Sequence, residues 1–532
     1  MTAIVEPAPE ERPDSRLLGS VEGVLKNAAF YYVGGAVSAL SRLVIVALIA
    51  RSVGAEGYGL YAAVLALTMY AELLDLGLRP GVMKWVAESR ACGLHDFANR
   101  RLSSVFAFYL VMAGLMTLAG FALYRPFIAF FNVAPAMHDA ARWVLVFLFI
   151  EMSLRFPLAL FNGILWGSHR LDLSSVVTIA TTVVRVALVV LALVVGGGLV
   201  GISVSMALAT LVWLVLLMTL ARTAYPELRL GLRHVSFSHI ADSFHYTWPV
   251  FIAGIGIQIA YNTDALVIGH FLDIEKVGLY TIAFQLYSFL TLAVFRGGDT
   301  LFPVYAARHK VLGKGGVRPW YLSAVRLTFA AAAFAALLLA LYGRPVIDVW
   351  AGEGKFVGTP TMLVLAGILA LDSSVHVSGT LLLSIGRPRM IALAYTIGGV
   401  ANLGLSIALV QVIGVVGVVL GTLVTEGALS AALIVGYACR VLHIDARRFL
   451  REATLPGVTV MIPAGALAAA FWRLGLATNP SLVSLALQGT LLGLLWLAAA
   501  WLWVLSPRHR ASASALVFRI GRRTDAQERS HA

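Results

Sequence analysis

Long, continuous apolar segments recur along almost the whole chain, and they restrict its fold more than any other feature. A helix needs about 20 mostly apolar residues to cross the hydrocarbon core of a bilayer, whereas a transmembrane β-strand shows about 10 alternating ones. Of the 532 residues, 60% are hydrophobic and 13% are charged, while soluble domains carry about 25% charged residues. The pattern predicts an all-α integral membrane protein.

These segments predict fourteen transmembrane helices. Of the 40 lysines and arginines, 28 fall in the two termini and in every second connection, and seven fall in the other connections. Because basic connections stay on the cytoplasmic side, both termini are predicted to be cytoplasmic, which favours fourteen helices over thirteen or fifteen. The predicted spans are 28–50, 58–78, 103–123, 143–166, 174–195, 200–221, 246–270, 278–301, 321–342, 359–384, 391–411, 415–438, 454–473 and 482–505.

The net charge of +13 is explained by this orientation and by contact with anionic membrane lipids. Aromatic and basic residues are not interleaved in the way that indicates nucleic-acid binding, so no nucleic-acid partner is expected. Two cysteines, Cys92 and Cys439, offer no disulfide framework, and no clustered His, Cys and carboxylate set indicates a metal site. The N-terminal segment 1–20 lacks a cleavable signal pattern. We therefore expect a multi-pass protein of the inner (plasma) membrane, anchored by its uncleaved first helix.

The sequence contains an internal repeat. The segment 51–67, RSVGAEGYGLYAAVLAL, aligns without gaps to 270–286, HFLDIEKVGLYTIAFQL, so that Gly59 matches Gly278. GLVGI, beginning at Gly198, matches GVVGV, beginning at Gly414, at nearly the same offset. Helices one to six therefore correspond to helices seven to twelve. Since six helices preserve orientation, the halves are predicted to be parallel repeats about an axis along the membrane normal.

The repeat predicts two six-helix lobes plus two extra C-terminal helices. Lobes of this kind indicate a transporter with alternating access around a central site. The predicted divisions are a cytoplasmic N-terminal tail over 1–27, an N-lobe over 28–222, a cytoplasmic linker over 223–245, a C-lobe over 246–438, helices thirteen and fourteen within 454–505, and a basic cytoplasmic tail over 506–532.

Two stretches carry a family resemblance. VALIARSVGAEGYGLYAAVLALTMYAELLDLGL, from Val46 to Leu78, has a helix ending in Arg, a Gly-rich turn and a Tyr-Gly-Leu-Tyr start to the next helix. It resembles the opening of the polysaccharide-unit flippases of the multidrug/oligosaccharidyl-lipid/polysaccharide exporter (MOP) superfamily. DALVIGHFLDIEKVGLY, from Asp264 to Tyr280, is similar to their seventh and eighth helices.

The resemblance implies a flippase that moves lipid-linked oligosaccharide repeat units, of the O-antigen type, from the inner to the outer leaflet for cell-surface polysaccharide biosynthesis. The implied partner is a sugar unit on an isoprenoid phosphate or diphosphate carrier. A polysaccharide polymerase and glycosyltransferases of the same pathway are further expected partners. The resemblance does not identify the sugar.

Three alternatives stay open beside this function. A lipid II exporter and a multidrug exporter belong to the same superfamily. A membrane polymerase or ligase is a less favoured alternative, because the longest external connections, 124–142 and 343–358, are short for a catalytic domain. The chain also lacks a GxxxxGK[ST] nucleotide loop, so ATP hydrolysis by that route is excluded. We therefore expect a transporter and not an enzyme.

Arginines inside predicted spans are candidates for binding the substrate phosphate, because a charge at mid-bilayer needs a partner, a wet cavity or a function. The planar guanidinium binds phosphate oxygens in a bidentate manner. Arg42 and Arg185 have no carboxylate three or four positions away and are the leading candidates. Arg326 also lies inside a predicted span, but near the end of its helix, where the side chain is expected to snorkel to the lipid headgroups.

Arg155 and Arg296 are further candidates for the same cationic cavity. Each has an alternative, because Glu151 precedes Arg155 by four positions and Asp299 follows Arg296 by three. Such spacings allow a neutralised ion pair on one helix face.

Carboxylates inside spans are candidates for ion coupling, since deep carboxylates bind Na⁺ or carry H⁺ in secondary transporters. Asp264 stands in the middle of the seventh predicted span with no basic residue nearby in sequence, and is the first candidate. Glu72 and Asp75 share a face of the second predicted span. For Asp75 the alternative to ion coupling is an ion pair with Arg79, one turn further on. No cofactor is expected beyond Na⁺ or H⁺. Three other polar residues, explained by bonds between neighbouring helices, are Asp372, His376 and Glu426.

Overall fold

The computed structural model describes residues 21–76, 78–236, 238, 240–241, 255, 258–259, 262–299, 301–476, 481–504 and 510. All regular secondary structure in these ranges is helical, and they contain no β-strand. Most of the seventh predicted span, 246–270, lies outside the described residues, and its last part, 262–270, is helical. Positions 1–20 of the predicted N-terminal tail and nearly all of the predicted tail 506–532 also lie outside them.

The first half of the chain contains one helix that holds two predicted spans. It is interrupted at Gly54, where φ is 73° and ψ is −177°, a conformation that glycine adopts without a steric penalty. The helices of this half are α1 (Val21–Met69), α2 (Leu78–Cys92), α3 (His95–Ala122), α4 (Tyr124–Phe131), α5 (His138–Gly167), α6 (Leu171–Val194) and α7 (Gly198–Ala224).

The second half continues with seven long helical segments after residue 273. They are α8 (Ile274–Asp299), α9 (Phe302–Trp350), α10 (Thr359–Ser384), α11 (Pro388–Ile413), α12 (Val415–Leu442), α13 (Ala446–Arg473) and α14 (Leu482–Trp503). Two π-helical turns, Leu423–Leu429 and Ala431–Val435, interrupt α12. Turns of this kind occur frequently at functional sites.

Twelve helices in the described ranges are long and apolar enough to cross a membrane. They comprise all the helices named above except α2 and α4, and α1 counts once despite its interruption at Gly54. The protein is therefore a multi-pass, all-helical membrane protein.

The chain divides into two compact units. Unit 1 comprises Met1–Ile45, Tyr70–Ile128 and Ala134–Phe251. Its central helix is α5, which packs against α2, α3 and α7. Of the most apolar stretch of 18 residues in this span, 78% are buried. Tyr109 and Tyr225 are fully buried in the core around it.

Unit 2 comprises Val46–Met69, Ala129–Val133 and Ile252–Ala532. Within it, α9 packs against α8 and α10 and also contacts α13 and α14. The last part of α1, from Val46 to Met69, belongs to this unit, where it crosses the start of α8.

Candidate functional site

Asp264 lies in the helical segment 262–270 of unit 2 and is only 5% exposed. The Tyr280 hydroxyl donates a hydrogen bond of 2.8 Å to Asp264 Oδ2, and the Thr422 hydroxyl donates one of 3.2 Å to the same atom. The carboxylate that the sequence singles out is therefore fixed by two neutral donors, one from α8 and one from α12.

The network extends from Thr422 to α11. Asn402 Nδ2 donates to Thr422 Oγ1 over 3.2 Å, and Ser406 Oγ donates to Asn402 Oδ1 over 2.7 Å and to the Val418 carbonyl over 3.3 Å. A Cβ on Gly421 would lie 2.7 Å from Ser406 Oγ, so a glycine at this position leaves room around the network. Carboxylate, amide, hydroxyl and carbonyl oxygens together are ligands that suit a hard cation.

Two more carboxylates are buried in unit 2. Asp372 is 4% exposed and Glu426 is 1% exposed, and their charges interact with each other and with Asp264 and Tyr287. No hydrogen bond of normal geometry reaches the Glu426 oxygens from the described residues, although Ser430 lies beside them.

None of these three carboxylates, Asp264, Asp372 and Glu426, takes part in an ion pair among the described residues. A buried carboxylate without a basic partner is unfavourable in its ionised form unless hydrogen bonds, a proton or a cation compensate the charge. In the described ranges no group of three or more His, Cys, Asp or Glu side chains is arranged to hold a metal ion. A cation at Asp264 would therefore depend on the neutral oxygens around it, which fits a monovalent ion.

Arg155 forms the ion pair with Glu151 that its spacing allows. Its Nε and Nη2 donate to Glu151 over 3.0 and 2.9 Å, and the Thr210 hydroxyl donates to the same carboxylate over 2.8 Å. Glu72 lies 3.7 Å from Arg155 Nη1. The structure thus places Arg155 and Glu72 in one cluster of unit 1 and neutralises the buried Glu151.

We expect Glu151→Gln to lower the free energy of unfolding by about 2 kcal/mol, because it leaves the half-buried Arg155 with a weakened partner. The matched variant Glu72→Gln should change it by less than about 0.5 kcal/mol, since this side chain is 53% exposed and exposed pairs contribute little. Thermal unfolding of the purified protein in detergent measures both, and equal effects would contradict the assignment.

Asp75 and Arg79 form no ion pair among the described residues, so the alternative pairing is wrong. The hydroxyl of the buried Tyr109 donates to Asp75 Oδ1 instead. The short helix Tyr70–Asp75 is a 3₁₀ turn, whose tighter winding shifts its side chains from α-helical spacing.

The remaining predicted arginines lie in both units. Arg42 is exposed on the part of α1 that belongs to unit 1, and the half-buried Arg185 of α6 has its guanidinium carbon 5.9 Å from the Trp213 ring centre. Arg296 is half-buried in the last turn of α8, in unit 2.

His376 of α10 contacts a carboxylate on another helix. Its Nε2 lies 2.8 Å from Asp299 Oδ1, and its ring stacks on Phe295 at 4.2 Å between centroids. The partner comes from α8, so the predicted bond between neighbouring helices is present at His376.

A family model described as polysaccharide biosynthesis protein matches residues 24–308. The chain belongs to the polysaccharide biosynthesis protein family. A search of curated proteins finds no match to this member of the family. Membership agrees with the predicted class, a transporter and not an enzyme.

Solved structures show that this family member has the MOP superfamily fold. The lipid II flippase MurJ, in an inward closed conformation, superposes with a TM-score of 0.70 at 13% identity, covering 89% of this chain and 98% of MurJ. A multidrug resistance MATE family transporter, in an inward-facing conformation, superposes with a TM-score of 0.67 at 14% identity, covering 76% of this chain and 94% of the transporter. A MOP superfamily transporter from Pyrococcus furiosus superposes with a TM-score of 0.59 at 15% identity, covering 82% of this chain and 100% of that transporter.

The partners of Asp264 are residues that sequence reasoning missed. Asn402 and Ser406 stand four positions apart in the mostly apolar helix α11, a spacing that places them on one face. That spacing was the available signal. Thr422 gave none, because single hydroxyls are common in membrane helices.

Proposed function

We propose that this protein is a flippase that moves lipid-linked oligosaccharide repeat units from the inner to the outer leaflet by alternating access, driven by Na⁺ or H⁺ bound at Asp264. Its place is the inner membrane, with both termini cytoplasmic. The observation that carries the proposal is the buried, unpaired carboxylate network of Asp264, in a chain of the polysaccharide biosynthesis protein family. A purely structural polar bond would not require a carboxylate without a basic partner.

The proposal includes fourteen helices and two parallel six-helix repeats. One contact within unit 2 supports the repeat, because it joins the matched positions Gly59 and Gly278. A Cβ on Gly59 would overlap the carbonyl oxygen of Ile274, and a Cβ on Gly278 would overlap that of Ala55. Ala55 and Ile274 are themselves matched in the same ungapped alignment. A contact that is reciprocal between equivalent residues is what a two-fold relation produces.

We further propose that Arg42, Arg185, Arg155 and Arg296 bind the substrate phosphate. Replacing Arg185 by Ala should reduce surface polysaccharide about tenfold in a deletion background, because a charge-assisted bond to phosphate is lost. Arg185→Lys keeps the charge but loses the bidentate fork, so it should retain an intermediate amount. Equal polysaccharide from wild type and Arg185→Ala, at equal protein level, would remove Arg185 from the phosphate site.

A deletion strain tests the function itself. The expected result is accumulation of intact, unpolymerised lipid-linked units on the inner leaflet together with loss of surface polysaccharide. If lipid II accumulates instead, the protein is a lipid II exporter. If toxin sensitivity changes while polysaccharide stays intact, it is a drug exporter. Accumulation of unpolymerised units on the outer leaflet would indicate a polymerase or ligase.

A further inference from the structure

Unit 1 contains a polar cavity of about 560 Å³ that none of the residues discussed above lines. Cavities of this size hold small ligands or headgroups. Its walls come from the end of α2, the start of α3, the turn between α5 and α6 and the end of α7, and they include Arg90, His95, Ser168, Arg170 and Glu227.

The cavity lies at the ends of four candidate membrane spans. His95 begins the span of α3, Gly167 ends that of α5, Leu171 begins that of α6 and Ala224 ends that of α7. The lining residues are therefore at the depth where a bilayer places its headgroups. The exposed side chain of Phe97, close to His95 in α3, adds apolar surface at the same level.

Cationic groups of the cavity keep donors for a ligand. Arg90 donates to the Ser168 and Ala224 carbonyls, over 3.3 Å each, through Nη1 alone, which leaves Nε and Nη2. Arg170 binds Asp172 through Nε and Nη2, which leaves Nη1. Donors of this kind on two guanidinium groups match the oxygens of a phosphate.

The wall of the cavity also presents neutral groups. His95 contacts the Tyr225 hydroxyl through Nδ1 at 3.0 Å, so Nε2 is its other polar atom. Burial raises the pKa of Tyr225 above its ordinary value, and its phenol stays protonated. Ser168 is only 5% exposed, and its Oγ has no hydrogen-bond partner among the described residues. An unsatisfied buried hydroxyl beside a polar cavity indicates a missing ligand or water.

Glu227 makes the cavity zwitterionic. Its side chain is exposed and lines the cavity, and it forms no ion pair within the described part of the chain. A purely anionic ligand would be repelled by this carboxylate, whereas a ligand that carries both a phosphate and an ammonium group would satisfy both signs of charge.

We propose that this cavity binds the headgroup of a zwitterionic phospholipid, with its phosphate on Arg90, Arg170 and Ser168 and its ammonium group on Glu227. Phosphatidylethanolamine has this chemistry. The site is separate from the proposed coupling network, which lies in unit 2, and it does not depend on the proposed function. A bound headgroup would tie together the ends of α2, α5 and α7 at the membrane surface.

Native mass spectrometry of the purified full-length protein, with added phosphatidylethanolamine or phosphatidylglycerol, tests the proposal. The wild type should bind phosphatidylethanolamine more strongly. Arg90→Gln should weaken this binding about tenfold. Ser168→Ala should weaken it severalfold without lowering the stability of the lipid-free protein, because the lost hydroxyl has no partner among the described residues. Glu227→Gln should remove the preference over phosphatidylglycerol.

Arg222→Gln is the matched control, since Arg222 is an exposed arginine in the last turn of α7 that does not line the cavity. It should bind lipid like the wild type. Equal binding of both lipids by the wild type, or a preference for phosphatidylglycerol, would overturn the proposal. The proposal would also be overturned if the protein bound an isoprenoid diphosphate more strongly than phosphatidylethanolamine and Arg90→Gln abolished that binding. The cavity would then hold the substrate carrier.

Discussion

Gly59→Ala is expected to prevent most of the protein from reaching its folded structure. The added Cβ would overlap the carbonyl oxygen of Ile274, a backbone atom that cannot move out of the way by changing rotamer. The last part of α1 and the start of α8 would have to separate along their whole contact. Overpacking of this kind costs roughly 3 kcal/mol or more, a large part of the stability of a typical domain.

Gly379→Ala is the matched control, because Gly379 lies in α10 of the same unit and has nothing within 4 Å of an added Cβ. This variant should be as stable as the wild type or up to about 1 kcal/mol more stable, since alanine favours the helix. Size-exclusion profiles and thermal unfolding of the detergent-solubilised proteins compare the two. Gly278→Ala should behave like Gly59→Ala, and a wild-type melting temperature for either would show that the two helices do not cross at these glycines.

The apolar pattern predicted where helices lie better than where they end. The predicted span 359–384 coincides with α10, Thr359–Ser384, because Pro360 and the polar residues after Ser384 mark both ends. The predicted span 321–342 lies in the part of α9 that follows an interruption at Gly313, where φ is 60°, and that part continues to Trp350. Hydropathy detects the part of a helix in the hydrocarbon core, and α9 continues through a polar segment that the pattern excludes.

Polar partners were predictable only where they lie on the same α-helix. The pair of Glu151 and Arg155 follows from its spacing, and the structure contains it. The bond that Arg326 makes did not follow from spacing, because its Nε donates to the Glu452 carbonyl over 2.5 Å. That acceptor is 126 residues away in sequence, and such contacts are set by how the helices pack, which a single sequence does not encode locally.

The candidate site shows the same limit. Asp264 stands out because a carboxylate in the middle of an apolar span is energetically unfavourable and is therefore a candidate functional residue. Its partner Thr422, 158 residues away, carries no charge and does not stand out. The sequence thus identified the charged member of the network, and the fold was needed to supply the neutral oxygens around it.

Asp264→Asn is expected to abolish export of surface polysaccharide in a deletion background while leaving the protein folded. The amide keeps the size of the carboxylate and can still accept hydrogen bonds from Tyr280 and Thr422. It cannot carry a proton or neutralise a cation, so the driving ion is no longer coupled to transport. Removing an unpaired buried charge also means that the melting temperature should not fall. Surface polysaccharide and thermal unfolding are measured on the same variant.

Asp273→Asn is the control, since it makes the same substitution at a half-exposed residue whose partner is Lys276; export should be unchanged. Added Na⁺ identifies the ion, because a ligand that binds the folded state raises its melting temperature. A rise in the wild type that is absent from Asp264→Asn assigns Na⁺ to the network, and Thr422→Val should then need more Na⁺ for the same rise. A melting temperature independent of Na⁺, with export lost in Asp264→Asn, leaves the proton as the coupling ion. Normal export by a folded Asp264→Asn would contradict coupling at this residue, and the unpaired carboxylate would then have to be protonated throughout the transport cycle.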